Sequence, residues 1–404
     1  MNRILFQEIW LELTQYKKMI FITGPRQSGK TTFAQMLMES YKNSLYFNWD
    51  VIDNKKKILE NPYFYEEINR KDNTTPLIIF DELHKYSDWK NYLKGVYDRD
   101  RGKYHFVVSG SGRLDIYQRG GDSLAGRYLA MNFWPFTLAE LFDKNKEAEE
   151  FLKNPLELDN TNPKSNEVWK SLSQTSGFPD PYLKNDLKFY TRWSETYHRQ
   201  LLREDIRDVS GIKNIDLAEI LFSLLPERVG SPISFASLAG DVKVSADTIK
   251  SWLEVFERTY LLFRIDCYKE KLARAIQKEK KIYLFDFARI SDEGAKFENM
   301  VALELLRLVS GLNDRGYGVF DLNYLRTRDN EEVEFVLLKN RKPFLLIETK
   351  LSDESISKHL IKFQNILNVP AIQLIQKPNI YKIISNGNHK NLIVSAPHWL
   401  QNLP

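Results

Sequence analysis

Gly24-Pro25-Arg26-Gln27-Ser28-Gly29-Lys30-Thr31 is the stretch that decides how this chain is read. It satisfies G-x-x-x-x-G-K-[ST], follows the apolar run MIFIT and opens the helical pattern TTFAQMLMES. A phosphate cradle needs that setting. Its glycines let backbone N–H groups curl around an anion, and the helix that follows turns its positive end towards it. The expected nucleotide-binding set is Gly24, Pro25, Arg26, Gln27, Ser28, Gly29, Lys30, Thr31 and Thr32. Within it Lys30 reaches the β- and γ-phosphates of ATP, and Thr31 reaches the accompanying Mg2+.

Downstream, Pro-Leu-Ile-Ile-Phe-Asp81-Glu82 is an apolar strand ending in two acids. Asp81 is expected to hold magnesium, and Glu82, one residue on and pointing elsewhere, to orient and deprotonate an attacking water. The next apolar run, Phe-Val-Val, ends in Ser109-Gly110-Ser111-Gly112-Arg113. In additional-strand ATPases, which these motifs resemble, the strand between the phosphate-loop strand and the paired-acid strand ends in a polar sensor of the γ-phosphate. Ser109 and Ser111 are both candidates for that place. Arg113 and Arg127 are candidates for the arginine that neutralises transition-state charge; a surface salt bridge is the competing reading for each.

The chain has 404 residues, enough for two or three domains, and its 43% hydrophobic and 28% charged residues exclude a largely disordered protein. The net charge of +4 is too mild to announce a nucleic-acid binder. One cysteine, Cys267, forms no internal disulfide, and six scattered histidines show no paired ligand spacing. The N-terminal segment lacks a small-residue cleavage site, and no uncharged apolar stretch reaches membrane-spanning length. The expectation is a cytoplasmic protein with no membrane partner.

The first third alternates β-rich apolar runs with helical patterns, the rhythm of a parallel α/β sheet. Residues 1–140 are read as this core and 141–182, polar and interrupted by prolines, as a linker or lid. Residues 183–290 are read as a helical module. In it Ser245 offers an N-cap to a helix carrying Ile249, Trp252, Leu253, Phe256 and Tyr260 on one stripe, and two β-like runs flank the basic stretch 269–281. Helix pair, capped helix and basic hairpin suggest a winged helix. Residues 291–404 are read as a further small α/β domain.

With these motifs in hand, the chain resembles prokaryotic AAA+-type (additional-strand) P-loop ATPases that carry an uncharacterised C-terminal region. The resemblance runs through GPRQSGKTT, YFNWD, IIFDELHKYSDW, VVSGSGR, SLAGRY, NFWPFTLAEL, GFPDPYL, LLREDI and FENMVALEL. It implies an α/β P-loop NTPase core with a parallel sheet, then a winged-helix-like module, then a restriction-endonuclease-like domain, with ATP and Mg2+ as cofactors.

Nucleases of the PD-(D/E)xK type place one acid on a strand and acid-x-lysine on the next, so that two carboxylates hold Mg2+ and the lysine supports the attacking water. Glu334, Glu348 and Lys350 supply that pattern, and Glu298 on the preceding helix adds a third carboxylate. Glutamate in place of the usual aspartate at 334 sets the carboxylate one methylene further out. Three readings stand: active cleavage, a degenerate fold that only binds DNA or a protein, and plain surface acids. The outward positions Asp247, Lys250, Glu254 and Glu257 argue against groove binding by the capped helix. Lys269, Lys271, Arg274, Lys278, Lys280 and Lys281 against Glu270 and Glu279 make the hairpin the candidate DNA contact. The expected function is ATP binding and hydrolysis coupled to C-terminal modules that engage DNA or a protein partner. Its alternatives are a nucleotide-gated binding module with negligible turnover and an ATP-regulated, Mg2+-dependent nuclease. An arginine acting across a subunit boundary would call for an oligomer.

Overall fold

A computed structural model describes residues 3–110, 124–142, 146–158, 162–206, 212, 214–269, 279–387 and 389–404, without the side chains of 204 and 205. Ser111, Arg113, Lys271, Arg274 and Lys278 lie outside the described residues. The chain divides into two compact units, Met1–Pro135 and Phe136–Pro404.

In the first unit, helix α1 (Ile4–Thr14) precedes β1 (Met19–Thr23), α2 (Lys30–Glu39), β2 (Ser44–Asn48), α3 (Ile52–Glu60), β3 (Leu77–Asp81), α4 (Trp89–Asp100), β4 (His105–Ser109) and β5 (Tyr128–Asn132). The strands form one parallel sheet in the order β2-β3-β4-β1-β5. β1 and β3 are buried along their whole length, which is why they read as continuous rather than alternating apolar runs. The period of two still divides their side chains. Ile20, Ile22 and Ile79 pack with Phe6, Trp10, Phe33 and Leu37 on one face; Phe21, Ile78 and Phe80 pack with Leu93, Val96 and Tyr65 on the other. β4, though later in sequence, sits between β1 and β3. The ends of β1, β3 and β4 therefore converge on one crevice at the carboxyl edge, where open parallel sheets bind ligands.

The second unit opens with α5 (Ala148–Lys153), α6 (Ser165–Thr175), α7 (Pro179–Lys184) and α8 (Leu187–Gln200), which runs into a π-helical turn, Leu201–Asp205. The stretch read as a linker thus carries helices whose Phe151, Trp169 and Leu172 are buried. Next come α9 (Ile215–Leu224), α10 (Phe235–Val242) and α11 (Ala246–Arg258). Ser245 caps α11 by accepting from Thr248 N–H, and Ile249, Trp252, Leu253 and Phe256 form its buried stripe, as the spacing predicts; Tyr260, expected on the same stripe, is buried but lies past the helix end at φ +58°.

The remaining elements are β6 (Leu262–Cys267), β7 (Lys281–Leu284), α12 (Glu293–Asp314), β8 (Phe320–Arg326), β9 (Glu332–Lys339), β10 (Lys342–Lys350), α13 (Lys358–Leu367), β11 (Ala371–Ile375), β12 (Tyr381–Asn386), β13 (His389–Ser395) and α14 (Ala396–Leu400). Their strands build an eight-stranded sheet, β12-β13-β11-β10-β9-β8-β6-β7. β6 and β7 pair as the expected antiparallel hairpin, but β6 also pairs in parallel with β8, so hairpin and C-terminal strands share one sheet. Buried Asn299 of α12 ties itself to β7, donating to Leu284 O at 2.8 Å and accepting from Leu284 N at 2.7 Å.

Candidate nucleotide site

The phosphate loop sits between β1 and α2. Gly24 has φ +154°, and a Cβ there would lie 2.0 Å from the carbonyl oxygen of Phe133, a backbone atom that cannot yield. Gly29, at φ +95°, brings the chain into α2, whose first residue is Lys30. From the N-terminal side Arg3 braces the loop: its guanidinium donates to Ser28 O at 3.2 Å and Trp134 O at 2.7 Å, lying over the Phe6 and Phe133 rings. Lys30 is buried, and its amine donates to the carbonyls of Gly24 at 2.9 Å and Pro25 at 2.6 Å. Burial pulls its pKa down to about 8 against the opposing pull of Glu82 and Asp81.

Asp81, the last residue of β3, is buried among hydroxyls. Thr31 Oγ1 donates to Oδ2 at 2.9 Å, and Ser109 Oγ donates to Oδ1 at 2.5 Å. The strand register sets Ser109 beside Asp81, and Glu82 N–H donates to Ser109 O at 2.9 Å. Ser109 is therefore the one of the two serine candidates that the described residues bring to the acid pair. Glu82 adopts φ +55°, a left-handed turn that ends the strand. It lies 3.3 Å from Lys85 Nζ and 3.6 Å from His84 Nε2, and Lys85 is anchored to Asp50 at 2.6 Å. Arg127 is engaged elsewhere, in a two-bond pair with Asp98 at 2.8 and 3.0 Å.

Tyr46 and Lys85 carry no role in the sequence reading. Tyr46 Oη donates to Asp81 Oδ2 at 2.6 Å, and burial together with that bond raises the phenol's pKa. The runs YFNWD and DELHK contain both residues; Lys85 meets Glu82 within one turn, whereas only strand pairing brings Tyr46 to Asp81.

These residues fit magnesium and a nucleotide: a glycine cradle closed by backbone, a lysine at the helix start, and a threonine hydroxyl on a buried carboxylate. Together with the inserted strand they have the arrangement of a P-loop NTPase core. Residues 16–142 match the family described as an AAA domain, and residues 166–289 and 293–394 match two families described as domains of unknown function.

An uncharacterised protein of Methanocaldococcus jannaschii is 25% identical over 292 residues, 66% of this chain; the match spans 60% of that relative's own length, under two thirds. An uncharacterised protein of Mycobacterium tuberculosis is 19% identical across 84% of this chain and 72% of its own. Among solved structures, a DNA replication initiation factor aligns at 15% identity and TM-score 0.29, over 62% of this chain and 85% of its own. The Hsp104–ADP complex of S. cerevisiae aligns at 12% and 0.29, over 78% and 45%. No helix among the described residues is long and apolar enough to cross a membrane.

The second unit gathers the nuclease-like residues. Lys350 Nζ lies 2.7 Å from Glu348 and 3.9 Å from Glu334. One oxygen of each glutamate has no hydrogen-bond partner, and burial, then Glu348 and Glu298, raise the pKa of Glu334. Lys281 corrects the sequence reading. Counted there among the DNA-facing cations, it is fully buried, with its amine 2.5 Å from Glu332 and 3.1 Å from Glu298. Burial pulls its pKa down, but Glu298 and Glu332 more than offset this and leave it raised. Lys280 of the same stretch pairs with Asp266 at 3.0 Å. Among the described residues no group of three or more His, Cys, Asp or Glu is placed to hold a metal ion. Lys281 pairs with Glu298 and Glu332, whereas Glu334 and Glu348 are faced by Lys350.

Proposed function

We propose that the chain binds and hydrolyses ATP and that its nucleotide state governs how the second unit engages a partner. The observation that carries the hydrolysis is the division of labour at the end of β3. Asp81 is held by Thr31 and Ser109, while Glu82 engages Lys85 and His84. Lys30 grips the phosphates, Thr31 and Asp81 hold magnesium, Glu82 takes the proton of the attacking water and Ser109 senses the γ-phosphate. Bound magnesium would neutralise charge on the β- and γ-phosphate oxygens. Glu82→Gln is expected to retain ATP and lose turnover, and Lys30→Ala to lose binding. Wild-type phosphate release no higher than that of Lys30→Ala, with and without a panel of DNA and RNA forms, would reject hydrolysis and leave the nucleotide-gated binding module.

For the second unit binding without cleavage is the favoured reading, because glutamate stands at 334 where nucleases of the PD-(D/E)xK type carry aspartate. DNA and protein are the candidate partners, with Lys269 the exposed described cation before the hairpin segment. Supercoiled, linear and branched DNA incubated with Mg2+ or Mn2+ is expected to stay intact. Products that Lys350→Ala abolishes would restore the nuclease reading.

A further inference from the structure

The end of β2 carries a chain of hydrogen bonds aimed at Asp81. Asp50 N–H donates to Asn48 Oδ1 at 2.8 Å, Asn48 Nδ2 donates to Tyr46 Oη at 3.3 Å, and Tyr46 Oη donates to Asp81 Oδ2 at 2.6 Å. Its direction follows from chemistry. A backbone N–H can only donate, so it fixes which end of the Asn48 side chain is oxygen; the amide nitrogen must then face Tyr46. Because the phenol oxygen accepts from Asn48, its own proton is committed to the carboxylate. Thr31 Oγ1 donates to the same oxygen, and Asn48 lies opposite Asp81 in the strand register.

From this we infer that Tyr46 is a positioning residue of the nucleotide site: with Asn48 behind it, its hydroxyl holds the Asp81 carboxylate in the orientation that meets the nucleotide-bound magnesium. The inference deepens the nucleotide-site reading and rests on it. Hydrogen bonds to a charged group are the strong ones, and losing the phenol's leaves Asp81, among the described residues, with the hydroxyls of Thr31 and Ser109. Its effect falls on the magnesium-dependent part of binding, since Tyr46 makes no bond to the phosphate loop.

The test is equilibrium titration of a fluorescent ADP analogue in excess Mg2+ and in excess EDTA, for wild type, Tyr46→Phe, Asn48→Ala and Lys30→Ala. Tyr46→Phe keeps the ring. It is expected to reduce the affinity gained from Mg2+ on the order of tenfold and to leave the affinity in EDTA unchanged. Asn48→Ala is expected to move the same ratio in the same direction, and it carries the test alone if Tyr46→Phe does not fold. A loss of equal size in Mg2+ and EDTA would reveal a structural role and overturn the inference, as would a ratio equal to wild type in both variants. If the wild type itself binds no better than Lys30→Ala, the nucleotide-site reading fails and takes this inference with it.

Discussion

At the scale of single residues, the phosphate loop depends on an approach that only glycine permits. Gly24→Ala would drive a methyl into the Phe133 carbonyl, and a forced backbone shift of that kind costs on the order of 2 kcal/mol or more. The expected outcome is a lower thermal midpoint together with weaker ADP binding; unchanged values for both would show that the loop relaxes freely. Glu304 makes a second, pH-dependent case. Burial lifts its carboxyl to about 8, although it accepts from Leu138 N–H at 2.7 Å and lies near Arg307. A carboxyl raised on folding contributes stability that is fully present below its unfolded pKa, near 4.5, and is lost as pH rises through 8. Glu304→Gln, neutral throughout, should therefore gain over wild type as pH rises from about 5 to about 9. Urea unfolding at several pH values reads this, and a difference independent of pH would show that Glu304 is not neutral in the folded protein.

At the scale of elements, the parts set by local pattern were legible in the residues. Continuous apolar runs became β1 and β3, and the Ser245 cap and its stripe became α11, because burial period and capping act within a few residues of sequence. The role of Ser109 needed more. Two serines fit the end of β4, and only the pairing of that strand against β3 puts Ser109 on Asp81. The clip between α12 and β7 was invisible for the same reason: Asn299 reads as one polar residue inside a helix until Leu284 is placed beside it. Replacing it with alanine leaves both backbone groups of Leu284 buried and unpaired, a loss of roughly 2–5 kcal/mol. Circular dichroism melts of Asn299→Ala should show that loss, and a change below about 1 kcal/mol would mean that water replaces the amide.

At the scale of the whole molecule, the nucleotide site belongs to Met1–Pro135 and the eight-stranded sheet to Phe136–Pro404. Nucleotide at a hundred times its Kd stabilises the folded state by about 2.7 kcal/mol, and slower hydrogen exchange around Lys30, Asp81 and Ser109 is expected. If nucleotide state governs the second unit, exchange between Phe136 and Pro404 must change as well. Protection confined to Met1–Pro135 would sink the coupling and leave the ATPase intact. The sequence by itself determined the phosphate loop, the paired acids and the α/β rhythm, because that chemistry is written in adjacent residues with short spacings. Only the tertiary structure decided that β6 joins the C-terminal sheet, that Lys281 is buried among glutamates instead of facing solvent, and that Tyr46 bonds Asp81. Each depends on which strands lie side by side, a choice made by the packing of the whole unit and not by any local run.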